Sequence, residues 1–159
     1  MPDIVTQHNI GALGDLVRLS DHSTATAGGT GNATLVTGNT IDRMGFGGSG
    51  MPGSALMGVI FESTLGATDT LSVAFNIQNS PDGSTWTDYL DQTAQVFATG
   101  PAGGGTVKGE ANIQVDLGNA MRFIRCNYTP TLSAASVDVF YGDAVGFFAG
   151  FPRIPAPNT

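Results

Sequence analysis

Between Thr106 and Leu117 the chain alternates without a break. Val107, Gly109, Ala111, Ile113, Val115 and Leu117 fall on one side, and Lys108, Glu110, Asn112, Gln114 and Asp116 on the other. Successive side chains of a strand point to opposite faces, so this period of two predicts a strand with one buried and one wet face. Thr70–Gln78 repeats the pattern, with Leu71, Val73, Phe75 and Ile77 on one side. Ser136–Tyr141 does so again, and here Val137, Val139 and Tyr141 are expected to point inward. Further strands are expected at Asp15–Ser20, Ala33–Thr37, Ile41–Phe46, Leu56–Ser63, Thr85–Leu90, Ala94–Ala98 and Met121–Tyr128. Leu56–Phe61 is apolar on both faces, which predicts a strand that is central or covered on both sides. No window of helical length places apolar residues at i, i+3, i+4 and i+7 free of Gly or β-branched clusters.

Turn material separates these runs. Gly28–Gly31, Gly45–Gly53, Pro81-Asp82-Gly83, Gly100–Gly105 and Gly118-Asn119 supply the residues that tolerate left-handed or preset backbone angles. Many strands at regular spacing without helices predict an all-β fold, a β-sandwich of jelly-roll-like architecture. The expected organisation is an N-terminal arm over residues 1–14, a sandwich over 15–143 and an apolar, proline-rich C-terminal arm over 144–159. Interaction residues are expected in the arms, namely Ile4, Val5 and Ile10 in the first and Phe147, Phe148, Phe151, Pro152 and Ile154 in the second.

Composition narrows the function classes. Charged residues make up 12 % of the 159 residues, about half the usual share, so Ser, Thr, Asn, Gln and Gly must build the surface. Few long charged side chains means little side-chain entropy opposing association, which favours life in an assembly. The net charge of −7 and only six Lys and Arg leave no basic stripe for phosphate neutralisation, so neither nucleic acid nor an anionic membrane is an expected partner. No charged and apolar leader pattern opens the chain and no apolar run reaches membrane-spanning length, so synthesis in a cytoplasm is expected.

The chain offers little for catalysis. The two histidines are His8 and His22, and neither GxSxG nor HExxH occurs. Asp15, Asp21 and His22 read as a solvated polar cluster. The Gly45–Gly50 stretch lacks the Gly-Lys-Ser/Thr ending of a phosphate loop. Cys126 lies inside an apolar run and reads as a small buried hydrophobe. Asp82, Asp88 and Asp91 could offer oxygens to calcium but read as turn and strand-end acids. No catalytic residue, no metal site and no cofactor is expected, and the chain is not expected to be an enzyme.

The most distinctive segment is Phe75-Asn76-Ile77-Gln78-Asn79-Ser80-Pro81-Asp82-Gly83-Ser84-Thr85-Trp86-Thr87-Asp88-Tyr89. An alternating strand runs into a Pro-Asp-Gly turn and a second strand starts just past it, which is a β-hairpin with Ser80, Asp82, Gly83 and Trp86 as its scaffold. Together with the later Ala120–Tyr128 strand and the turn Thr129–Ala135, it resembles structural proteins of tailed bacteriophages, over roughly residues 70–142. Within that group the chain looks like a capsid decoration or cement protein. The resemblance implies a virion structural protein that binds the outside of the capsid and stabilises it through oligomerisation and arm contacts. The implied partners are the major capsid protein and further copies of the chain, as a homodimer or homotrimer. The implied location is the capsid surface, after synthesis in the host bacterial cytoplasm. The same resemblance leaves room for a tail, fibre or baseplate component. The hairpin is also similar to that of discoidin-like glycan-binding modules, which gives a second class of function, with Trp86 or Tyr89 as a sugar platform.

Overall fold

The computed structural model describes residues 13–46, 50–133 and 137–152. Nine strands occur among them: β1 (Gly14–Arg18), β2 (Ser23–Thr26), β3 (Ile41–Asp42), β4 (Ser54–Leu65), β5 (Thr70–Ser80), β6 (Thr87–Thr99), β7 (Gly105–Asp116), β8 (Phe123–Leu132) and β9 (Val139–Ala149). One turn of 3-10 helix, Arg43–Gly45, follows β3, with the Asp42 carboxylate accepting the Met44 N–H at its start.

The strands form two antiparallel sheets. Sheet A has the order β1-β9-β4-β7, with β2 continuing the β1 edge along β9; sheet B has the order β3-β8-β5-β6. Counting β1 and β2 as one interrupted strand, the pairs nest. That strand pairs with β9, β3 with β8, β4 with β7 and β5 with β6. This is a long hairpin rolled up so that successive pairs alternate between the sheets, joined laterally by β4·β9 and β5·β8. The architecture is an eight-stranded jelly roll.

The core lies between the sheets. β5 contributes Leu71, Val73, Phe75 and Ile77, and β7 contributes Ala111, Ile113 and Val115, with Leu117 just past its end, as their alternation predicts. β4 adds Met57, Val59 and Phe61, and β8 adds Ile124, Cys126 and Tyr128. Two hydroxyls tie the sheets. Tyr128 Oη lies 2.6 Å from Ser23 Oγ on β2, and Tyr89 O–H donates to the Asp116 carbonyl at 2.6 Å, across the open edges of β6 and β7.

Four sequence expectations need correction. Ala33–Thr37 is loop that touches β8 only through a bridge from Val36 to Tyr128, and Ile41–Phe46 is two strand residues followed by the 3-10 turn. Thr85 and Trp86 belong to the turn, and Thr87–Leu90 and Ala94–Ala98 are parts of one strand, β6, whose register against β5 shifts at three places. Each shift flips the apparent face, so no continuous alternation survives in its sequence.

The fourth correction concerns the C-terminal arm. β9 runs to Ala149 between β1 and β4, so residues 144–149 belong to the sandwich, and the N-terminal boundary moves to Gly14. Phe148 is a core residue, and the Phe147 ring lies across Gly14 on the outer side of sheet A. The inward residues of β9 are Phe140, Gly142, Ala144, Gly146 and Phe148, the opposite parity from the expected Val137, Val139 and Tyr141, of which Val137 and Tyr141 are exposed. Phe151 packs on Phe46 at 5.5 Å between ring centroids and so folds back on the chain. Pro152 is exposed beside Gly50, while Ile4, Val5, Ile10 and Ile154 lie outside the described residues.

Candidate functional site

The hairpin between β5 and β6 is built by two side chains. Ser80 Oγ accepts the Gly83 N–H at 2.9 Å and donates to Asp82 Oδ1 at 2.9 Å. The same Oδ1 accepts the N–H groups of Ser84 and Thr85 at 2.8 Å each. These bonds, the one from Thr85 first, hold the Asp82 carboxyl well below the usual carboxylate range. Gly83 takes φ 76°, a left-handed angle that a residue with a Cβ resists. Asp82 is therefore spent on the turn. Asp88 and Asp91 face the Asn76 amide instead, and no group of three His, Cys, Asp or Glu among the described residues could hold a metal ion. Trp86 is half-buried, with the Arg125 guanidinium 4.3 Å over its ring.

At the same end of the sandwich, Arg43 is buried to 3 % exposure, without a carboxylate partner among the described residues. Its guanidinium donates to the carbonyls of Pro52 and Leu117, at 2.8 and 2.7 Å, and of Ala120 and Met121. It pins the loop that enters β4 to the loop that enters β8. Burial pushes its pKa down, but a guanidinium stays charged at any working pH. Sequence reading missed this residue, because nothing local marks an arginine whose partners are all backbone.

The outer face of sheet A is the unusual surface. Leu16 on β1 and Leu56 on β4 both pair with Phe147 on β9, so the three side chains stand in one row across the sheet. Ile60 and Tyr141 continue the apolar stripe along β4 and β9. Leu16 is 74 % exposed, Ile60 58 %, Tyr141 46 % and Leu56 44 %. Single exposed apolar residues are ordinary, and a contiguous stripe is not. This is the second apolar side of Leu56–Phe61 that the sequence shows. Among the described residues only the Met57, Val59 and Phe61 side is covered.

Charges rim the stripe. Lys108 Nζ meets Glu62 at 2.7 Å, and Asp143 lies 3.0 Å from His22 Nδ1 and 3.7 Å from Arg18, which also reaches Asp21. Asp15 is not part of that cluster. His22 stacks against Tyr141 with centroids 6.2 Å apart, over an open groove that also includes Ile60, Glu62 and Lys108. Among the described residues no serine, threonine or cysteine hydrogen-bonds to this histidine. Cys126 is buried, and burial pushes its thiol up to about 12, so it is an inert core residue.

No family model and no curated protein sequence matches the chain. Among solved structures it is similar to infectious bursal disease virus of the Gx strain, at TM-score 0.44 and 11 % identity, over 89 % of this chain and 34 % of that one. The Gt strain gives TM-score 0.42 and 11 % identity, over 89 % and 33 %. The D431N mutant VP2 protein of the same virus, from derived T=1 particles, gives 0.41 and 10 %, over 87 % and 33 %. The chain spans about a third of the length of each. The jelly-roll assignment rests on the strand order, and overlaps of this size add nothing to it.

Proposed function

We propose that this chain is a virion structural protein, a jelly-roll subunit that binds the outside of a tailed-phage capsid and stabilises it as a decoration or cement protein. The observation that carries the reading is the apolar stripe on the outer face of sheet A. Leu16, Leu56, Ile60 and Tyr141 leave apolar surface in water that a monomer has no use for. Covering the stripe is favourable by roughly 25 cal/mol per Å2 of apolar area removed from water. The low share of charged residues points the same way, because few long side chains must be ordered when the surface is covered.

The hairpin resemblance to tailed-phage structural proteins supplies the virion context, and the major capsid protein is the partner it implies. Gly14 pairs with Ala149, so the chain segments before β1 and after β9 leave the sandwich side by side at one end of sheet A. Residues 1–13 and 153–159 are the arms of this reading, shorter than the sequence predicts, because Gly150, Phe151 and Pro152 fold back on the sandwich. Several weak arm contacts joined to a face contact give high avidity without any one strong site.

The test is co-sedimentation of the purified chain with empty shells of the major capsid protein from the same genome. Saturable binding at a fixed ratio is the expected result. Absence of binding at micromolar concentration removes the decoration reading.

A further inference from the structure

The outer face of sheet B has the opposite character. Its outward side chains on β5 and β8 include Asn76, Gln78, Arg125, Asn127 and Thr129. Their hydrogen bonds run in one direction. The Gly38 N–H donates to Asn127 Oδ1 at 3.0 Å, which fixes that amide. Asn127 Nδ2 then donates to Asn76 Oδ1 at 3.2 Å and to Gln78 Oε1 at 3.1 Å. Arg125 Nε donates to the same Gln78 oxygen at 2.8 Å. Both amides therefore turn their NH2 groups toward β6. Asn76 donates to Asp88 at 2.9 Å and Asp91 at 2.8 Å, and Gln78 donates to Asp88 at 2.8 Å.

Two anchored donors thus orient the whole row, and a face ordered in advance loses little side-chain freedom when a ligand arrives. Capacity is left over. Arg125 spends only Nε, and each carboxylate accepts through Oδ1 alone among the described residues. Beside Asp91 a groove of about 320 Å3 opens, lined by Gln92, Thr93 and Thr129, with Leu35 and Ala74 as its apolar part. From Arg125 to Thr129 is four residues, roughly 14 Å at about 3.4 Å per residue. Trp86 closes one end of this row and the groove the other.

The chemistry excludes several ligands. A metal ion between Asp88 and Asp91 would face the Asn76 NH2 group, a donor. Nucleic acid and acidic sugars would meet two carboxylates on a chain of net charge −7. A ligand that both donates and accepts at closely spaced points, and has apolar C–H faces between them, matches the guanidinium, the carboxylates, the hydroxyls and the Leu35 and Ala74 surface together. We propose that the outer face of sheet B, from Trp86 and Arg125 through Asp88 and Asp91 to Thr93 and Thr129, binds a short neutral oligosaccharide. This site stands apart from the sheet A stripe, so one face can dock on a shell while the other meets a glycan.

Trp86 is the chain's only tryptophan, so its emission reports on one end of the site. The full chain is titrated with cellohexaose, chitohexaose, maltohexaose and xylohexaose, and with hexagalacturonate as the anionic counterpart. At least one neutral hexaose is expected to give a saturable shift, and the uronate none. The double variant Asp91→Ala/Thr93→Ala is expected to bind that sugar roughly tenfold or more weakly, as loss of a charged hydrogen bond implies, with an unchanged melting temperature. No shift with any neutral hexaose, equal affinity in the variant, or equal binding of the uronate would each overturn the proposal. Shell co-sedimentation of the same variant is expected at the wild-type level, so failure of the sugar site is distinguishable from failure of the capsid reading.

Discussion

A buried guanidinium can be held by backbone carbonyls, and among the described residues Arg43 is held by four. Hydrogen bonds to a charged group contribute about 1.5–3 kcal/mol each, and the effects of several on one group do not add fully. Arg43→Met keeps most of the stem's packing and removes the donors. It is expected to lower the unfolding free energy by about 3 kcal/mol or more in urea titration. A loss under about 1 kcal/mol would show that water satisfies those carbonyls. Asp82 gives a pH signature. Its folded pKa lies below the unfolded value of about 3.9, so its contribution is present above that pH and is lost as the pH falls toward the folded value. In Asp82→Asn the charge is absent throughout. The stability gap between wild type and variant is therefore expected to narrow as the pH drops below about 4, read by thermal melts; a constant gap would assign the effect to packing.

At the scale of elements, legibility followed the size of the inward residues. β5 and β7 were plain in the sequence because each inward position from Leu71 to Ile77 and from Ala111 to Leu117 is apolar while the outward ones are polar. Of β9 only the start, up to Tyr141, read as strand, and with its faces reversed; the rest was hidden because its inward row is Phe140, Gly142, Ala144, Gly146 and Phe148, and glycine does not read as core. The glycines are there for lack of space. A Cβ on Gly142 would overlap the Phe140 ring and approach Val59 to 2.8 Å, and one on Gly146 would come within 2.9 Å of Leu19. Gly142→Ala is accordingly expected to destabilise by about 1–3 kcal/mol as an overpacked core does. A neutral or stabilising result, measured by the same denaturant titration, would mean that the Phe140 ring can move aside. The hairpin was legible down to its residues, since Ser80, Asp82 and Gly83 do what their side-chain chemistry favours in a turn. The sheet B network was not, because it joins residues of β5, β6 and β8 that only the strand order brings together.

The whole molecule is a jelly roll with two unlike faces. Sheet A shows water an apolar stripe, and sheet B shows it a fixed row of amides and acids. The strand Leu56–Phe61 carries the link from sequence to function. Its inward side fills the core, and its outward side, through Leu56 and Ile60, has nothing over it among the described residues. Fold alone does not choose among the uses of a jelly roll, so the stripe has to be tested directly. Both residues are exposed and at the surface of a central strand, so replacing them with charge leaves the core intact. The decisive measurement is shell co-sedimentation of Leu56→Asp/Ile60→Asp beside the wild type, with circular dichroism to verify that both are folded. The expected result is a folded variant whose affinity for shells falls by roughly two orders of magnitude, as the loss of two apolar anchors at about 1.5 kcal/mol each implies. A folded variant that sediments with shells as well as the wild type would contradict the sheet A assignment.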